Sequence, residues 1–92
     1  MKYMVIEKFK PGKVDAVYQR FREQGRMLPQ GLVYLNSWLA EDRSRCFQLM
    51  EAESFGLFEK WCARWNDLID FEVVPVADSP TQKEVESENL SR

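Results

Sequence analysis

The 92-residue chain contains no histidine. That absence excludes Ser-His and Cys-His nucleophile pairs, histidine-ligated haem, and the commonest zinc and non-haem iron centres. Cysteine is scarce: Cys46 and Cys62 are the only two. They make no CxxC and are not spaced as half of a zinc site, so reduced thiols acting as small buried hydrophobes are expected. No metal and no cofactor is expected. No apolar run approaches the roughly 18 residues of a membrane span. The amino end, Met1 to Lys8, puts charges where a signal peptide would need its apolar segment. A cytoplasmic protein with no membrane contact is therefore expected. There is also no clustered Lys/Arg run, and a phosphate backbone needs a concentrated basic face. Nucleic acid is not an expected partner.

What is present is a globular composition, 45% apolar and 13% aromatic, of a size for one domain. Residues 1–77 balance eleven basic against eleven acidic side chains, whereas residues 78–92 carry two and four. The body is neutral and the tail acidic. The tail has only Val85 and Leu90 as large apolar residues, with no usable period, and is expected to be disordered. The domain should therefore end near residue 77.

Within the body, residues 2–9 alternate as a strand apolar on both faces: Tyr3, Val5 and Phe9 on one, Met4 and Ile6 on the other. Lys10-Pro11-Gly12 breaks it. Val14, Val17, Tyr18 and Phe21 then recur at helical spacing over residues 13–24, and Gly25 suits the left-handed position past the helix end. A second strand is expected over 32–41 and a third over 45–52, joined by a polar turn around Asp42, Arg43 and Ser44. The register of this hairpin is open. A loop of odd length would put Asn36, Trp38 and Gln48 on one face, and a two-residue loop would set Trp38 beside Phe47. Ser54 suits the N-cap of a second helix, with Phe58, Trp61, Cys62 and Trp65 at helical spacing and an end near Asn66. Residues 69–76 make the fourth strand, where Pro75 belongs on an edge or at the strand end.

The order βαββαβ is the ferredoxin-like pattern, an α+β sandwich in which two helices cover one face of a four-stranded antiparallel sheet. The other face is left bare, yet the strands are apolar on both sides. A homodimer with facing sheets is the expected solution, and a small body with a limited core of its own agrees with it.

Tyr3-Met4-Val5-Ile6-Glu7-Lys8-Phe9, Gly25-Arg26-Met27-Leu28-Pro29, Ser37-Trp38-Leu39 and Arg45-Cys46-Phe47-Gln48-Leu49-Met50-Glu51, in this order of elements, carry a resemblance. The chain resembles, over residues 1 to about 77, a family of short bacterial proteins of unknown function similar in fold to the dimeric α+β barrel superfamily. That superfamily includes cofactor-free monooxygenases of aromatic polyketides, muconolactone isomerases, haem-binding enzymes and stress-response barrels. The resemblance implies the fold and the dimer and transfers no activity.

In that superfamily the pocket lies between sheet and helices, and the cofactor-free monooxygenases hold an oxidisable aromatic with Asn, Trp, Tyr and Arg side chains. By this resemblance Asn36, Trp38 and Tyr34, with Gln48 and the loop residue Arg26, are the candidate ligand-binding set for a small planar or anionic molecule. A strand Asn and Gln could instead bond across a dimer interface. Phe58, Trp61 and Trp65 could floor a pocket or fill the core. Glu7, Glu51 and Glu72 are not paired by anything local, which leaves an acid-base dyad unsupported. The preferred reading is a homodimeric small-molecule binding or interaction module. The alternative is a cofactor-free monooxygenase or isomerase acting on a small aromatic or lactone.

Overall fold

The computed structural model describes residues 1–88. Its elements run β1 (Lys2–Phe9), α1 (Val14–Gln24), β2 (Val33–Leu39), β3 (Arg45–Glu51), α2 (Gly56–Ala63), β4 (Ile69–Val76) and α3 (Gln82–Glu88). The strands form one four-stranded sheet in the order β2-β3-β1-β4 with every neighbour antiparallel. Up to β4 this is the expected ferredoxin-like α+β arrangement.

The core lies between the sheet and the first two helices. Tyr3 and Val5 from β1 and Met50 from β3 are buried with Val17 of α1, Phe58 and Trp61 of α2, and Trp65 just beyond it. Fully burying side chains of this size contributes about 1.5–3 kcal/mol each, so this layer anchors the fold. Tyr3 and Phe58 meet edge-on, ring centres 4.8 Å apart. Helix α1 turns only Val17 fully inward and leaves Tyr18 and Phe21 partly in solvent. It ends as expected, with Gly25 at a φ of 66° and its amide donating to the Phe21 carbonyl at 2.8 Å. Ser54 opens α2 through its hydroxyl, which accepts the Gly56 amide at 3.2 Å, although regular turns begin only at Gly56.

The hairpin closes on an Ala40–Arg45 backbone bond of 2.9 Å, with Arg43 at a φ of 63° and Asp42 Oδ1 accepting the Ser44 amide and hydroxyl. The turn at 41–44 is even, so Trp38 pairs with Phe47, Ser37 with Gln48 and Asn36 with Leu49. A register shift between Tyr34 and Asn36 then sets Tyr34 opposite Met50. The bulge at Leu35 thus turns Tyr34 to the helix side while Asn36 and Trp38 stay on the helix-free side. That open face carries two apolar rows across the sheet, Asn36-Leu49-Met4-Val74 and Trp38-Phe47-Ile6-Glu72.

The tail differs from the sequence reading, which has no element after residue 77. Thr81 and Glu84 make a reciprocal capping box: the Glu84 amide donates to Thr81 Oγ1 at 3.1 Å and the Thr81 amide to Glu84 Oε1 at 3.3 Å. This local signal nucleates α3 without any apolar period. Residues 89–92 of the expected disordered segment lie outside the described residues.

Candidate functional site

The site is organised by the backbone just after α1. Gly25 ends the helix, and Met27, at a left-handed φ of 57°, turns the chain again within two residues. The Arg26 carbonyl between them accepts two indole N–H groups, Trp61 Nε1 at 2.9 Å and Trp65 Nε1 at 3.0 Å. Arg64 adds a guanidinium bond to the Met27 carbonyl. The loop is thereby tied to α2 and the turn after it, and the direction of the Arg26 side chain is set. Trp61 and Trp65 fill the core and also wall a cavity, so the two roles considered for them coincide.

The Arg26 guanidinium lies over the Tyr34 ring at 3.7 Å and beside the Phe21 ring at 4.9 Å. Its Nε donates to Gln48 Oε1 at 3.3 Å, and Gln48 Nε2 donates to Glu7 Oε2 at 2.7 Å. The amide of Gln48 is thus oriented by a donor on one side and an acceptor on the other. Glu7 is only 5% exposed. Burial pushes its carboxyl up to about 7, against the opposing pull of the Gln48 bond and the Arg26 charge. Glu7 Oε1 has no hydrogen-bond partner among the described residues, and it is not sealed off from space a water could touch.

The adjoining cavity is lined by Glu7, Gln48 and Arg26 on its polar side and by Val17, Phe21, Trp61, Trp65 and Ile69 on its apolar side. It leaves about 30 Å³ for the centre of a water-sized sphere, room for an ordered water. Phe21 is 40% exposed and also lines the cavity, so it forms part of the outer wall. The wider hollow, about 820 Å³, runs past Gln30, Gly31, Val33, Glu53 and Lys60 at the opposite end of the sheet. No buried polar groups converge there.

The structure therefore divides the candidate residues. Arg26, Tyr34 and Gln48 come together on the helix side. Asn36 and Trp38 do not join them: the even turn and the bulge put both on the open face, Trp38 at 48% exposure, with Asn36 Oδ1 accepting the Ser37 amide at 2.8 Å. That register brings three of the five expected residues together and leaves the other two on the opposite face. Glu7 is the member that the sequence reading left out, although its place in the Tyr3-Val5-Glu7-Phe9 alternation put a carboxylate on the core face. Glu72 faces the open side opposite Ile6, and Glu51 is exposed at the far end of β3, so the three glutamates do not meet.

Cys46 and Cys62 are half-buried rather than buried. Burial, with the neighbouring Glu7 charge adding to it, pushes both thiols up to about 11, which leaves them protonated and weakly nucleophilic near neutral pH. Among the described residues no group of three or more Cys, Asp or Glu side chains is placed to hold a metal ion, and no helix is long and apolar enough to cross a membrane.

A family model described as a domain of unknown function, DUF3303, matches residues 1–90. No curated protein matches the chain, and no solved structure does.

Proposed function

We propose, from the premise that this chain belongs to the DUF3303 family of domains of unknown function, that it is a small-molecule binding module acting as a homodimer. The ligand site is the cavity beside Arg26, Gln48 and Glu7, and the ligand is small, planar and anionic. The observation that carries this reading is the guanidinium of Arg26. It is stacked on Tyr34 and spends one N–H on Gln48, and its terminal nitrogens have no partner among the described residues. An arginine held in place on an aromatic face with its fork unpaired is suited to a carboxylate or an oxyanion. A ligand larger than water enters by displacing the Phe21 side chain.

The homodimer is supported by a different part of the molecule. The rows through Leu49, Met4 and Val74 and through Trp38, Phe47 and Ile6 make an apolar surface of a kind that monomers rarely leave in water. With Asn36 on that surface, the alternative role weighed for it, a contact across an interface, is the one its position favours; Trp38 lies on the same face.

The test is titration with salicylate, a planar aromatic carboxylate, read by the fluorescence of Trp61 and Trp65 in the cavity wall. Saturable quenching is expected. Arg26→Ala weakens it by about 1.5–3 kcal/mol, the cost of losing hydrogen bonds to a charged group, while Asn36→Ala leaves it unchanged. Absence of saturable binding, or equal affinity in Arg26→Ala, overturns the reading. An isomerase reading is favoured by one further observation, the free oxygen of Glu7.

A further inference from the structure

The Glu7 carboxyl is costly where it stands, since its burial raises the pKa and its one hydrogen bond among the described residues occupies a single oxygen. A core-face position paired with Cys46 on β3 and Phe71 on β4 would be filled more cheaply by an apolar side chain. Gln48 restrains Oε2, Oε1 has no hydrogen-bond partner among the described residues, and Glu7 lines the cavity. Arg26 and Gln48 line the same small space, whose other walls, apart from Glu7, are aromatic and aliphatic. A carboxylate held by Gln48 and a guanidinium with free donors therefore line one small, largely apolar cavity.

We propose that Glu7 is a proton-transfer base, acting through Oε1 on a small planar carbon acid whose carbonyl oxygen is held by the Arg26 guanidinium. The inference rests on the cavity being the ligand site and adds a substrate class to it. In the forward step the proton on the carbon next to the carbonyl passes to Glu7. The C–H bonding pair becomes the new C=C bond, and the carbonyl π pair moves to the oxygen, giving an enolate opposite Arg26. In return, neutral Glu7 gives the proton back to the same carbon or, in a conjugated substrate, to the far end of the double-bond system. The first outcome is exchange and the second is isomerisation. Both balance without any oxidant or reductant.

Two physical features suit this role. A general base works best when its pKa lies near the working pH, and burial holds Glu7 at about 7. The donors of Arg26 act in a water-poor site, where they stabilise developing negative charge better than they would in solvent. The ionisable groups whose charge reaches Glu7 are Arg26 from the loop, Cys46 from β3 and Cys62 from α2. Phe71, its partner across β4, and Val17 and Phe21 from α1 carry no charge. Since both thiols stay protonated near neutral pH, Glu7 is the group among these that changes charge there.

The experiment follows loss of the methylene protons of phenylpyruvate in heavy water by proton NMR, with saturation transfer to phenylpyruvate and salicylate recorded on the same samples. Full-length protein is expected to accelerate exchange at least about 100-fold over buffer, the lower end of what a positioned base contributes, with a rate that rises through neutral pH and then levels. Glu7→Gln keeps the shape of the side chain and an acceptor oxygen for Gln48 Nε2, and removes the basic carboxylate. It is expected to abolish the acceleration while saturation transfer persists. Bound phenylpyruvate that does not exchange, equal exchange in Glu7→Gln, or a wild-type rate flat through neutral pH overturns the proton-transfer proposal and leaves the binding module standing. Absence of saturation transfer to either compound removes the binding reading and this proposal together.

Discussion

Glu7 ties stability to pH in a direction opposite to that of most carboxylates. Its folded pKa, about 7, lies above its ordinary value of 4.5, so between these values the folded state holds a proton that the unfolded state has released. Stability contributed by this group is then fully present below the lower value, falls as pH rises toward 7, and stays low above it. Replacing Glu7 with Gln removes the penalty of burying the charge. The variant is expected to be more stable than wild type at mildly alkaline pH, by up to about 3 kcal/mol, with the difference shrinking in acid. Urea unfolding across that range checks it, and a variant whose stability falls with pH as steeply as wild type would place the dependence elsewhere. Asp67 works in the usual sense. The bidentate bond from Arg20, at 2.9 and 2.7 Å, holds its carboxyl down to about 2, so its contribution is lost only in strong acid. Among candidate residues, Arg26 was legible as a charge in an irregular loop. Glu7 is visible in the sequence only as a carboxylate that nothing local pairs, because the Gln48 and Arg26 that join it come from distant parts of the chain.

The expected elements were recovered with their ends close to the expected ones, except that α2 stops at Ala63, short of the expected end near Asn66, and gives way to turns over residues 64–68. β1 and β4 match the expected limits, and β2 and β3 are shorter than expected by a few residues at most. The hairpin shows where periodicity stops being informative. Both registers bury an alternating set, and the choice was made by the even turn closed by Asp42 and Arg43 and by one extra residue at Leu35. That single bulge separates Tyr34 from Asn36. α3 is the converse case, a helix specified by its Thr81–Glu84 box alone. Among residues 82–87 none joins the core, and Val85 alone is half-buried. Deleting residues 79–92 is accordingly expected to move the melting temperature by less than about 4 °C, the shift that 1 kcal/mol produces in a domain of this size. A larger fall, measured by circular dichroism, would mean that the segment docks on the body.

On the scale of the whole molecule, the sheet separates two surfaces of different character. One is packed against α1 and α2 and encloses the Glu7–Gln48–Arg26 chain, and the other presents Trp38, Phe47, Leu49, Met4 and Ile6 to its surroundings. Light scattering at micromolar concentration is expected to return twice the chain mass of 10.9 kDa. A Phe47→Lys substitution, which sets a charge at the centre of the open face, should shift the protein toward monomer with its cavity intact. A wild-type monomer would remove the dimer from the proposed function while leaving the salicylate test unaffected.

The sequence by itself determined the order of elements and therefore the ferredoxin-like sheet, because side-chain period and helix-ending glycine act over a few neighbouring residues. It also grouped Phe58, Trp61 and Trp65 by their helical spacing, leaving open whether they fill the core or wall a pocket. What the tertiary structure alone decided is the company those residues keep. The pairing of β1 with β3 brought Gln48 to Glu7 across 41 positions of chain, and the packing of α2 brought both indoles to the Arg26 carbonyl. The bulge in β2 sent Tyr34 inward and Asn36 and Trp38 outward. These are long-range contacts, fixed by register and packing, and no local pattern carries them.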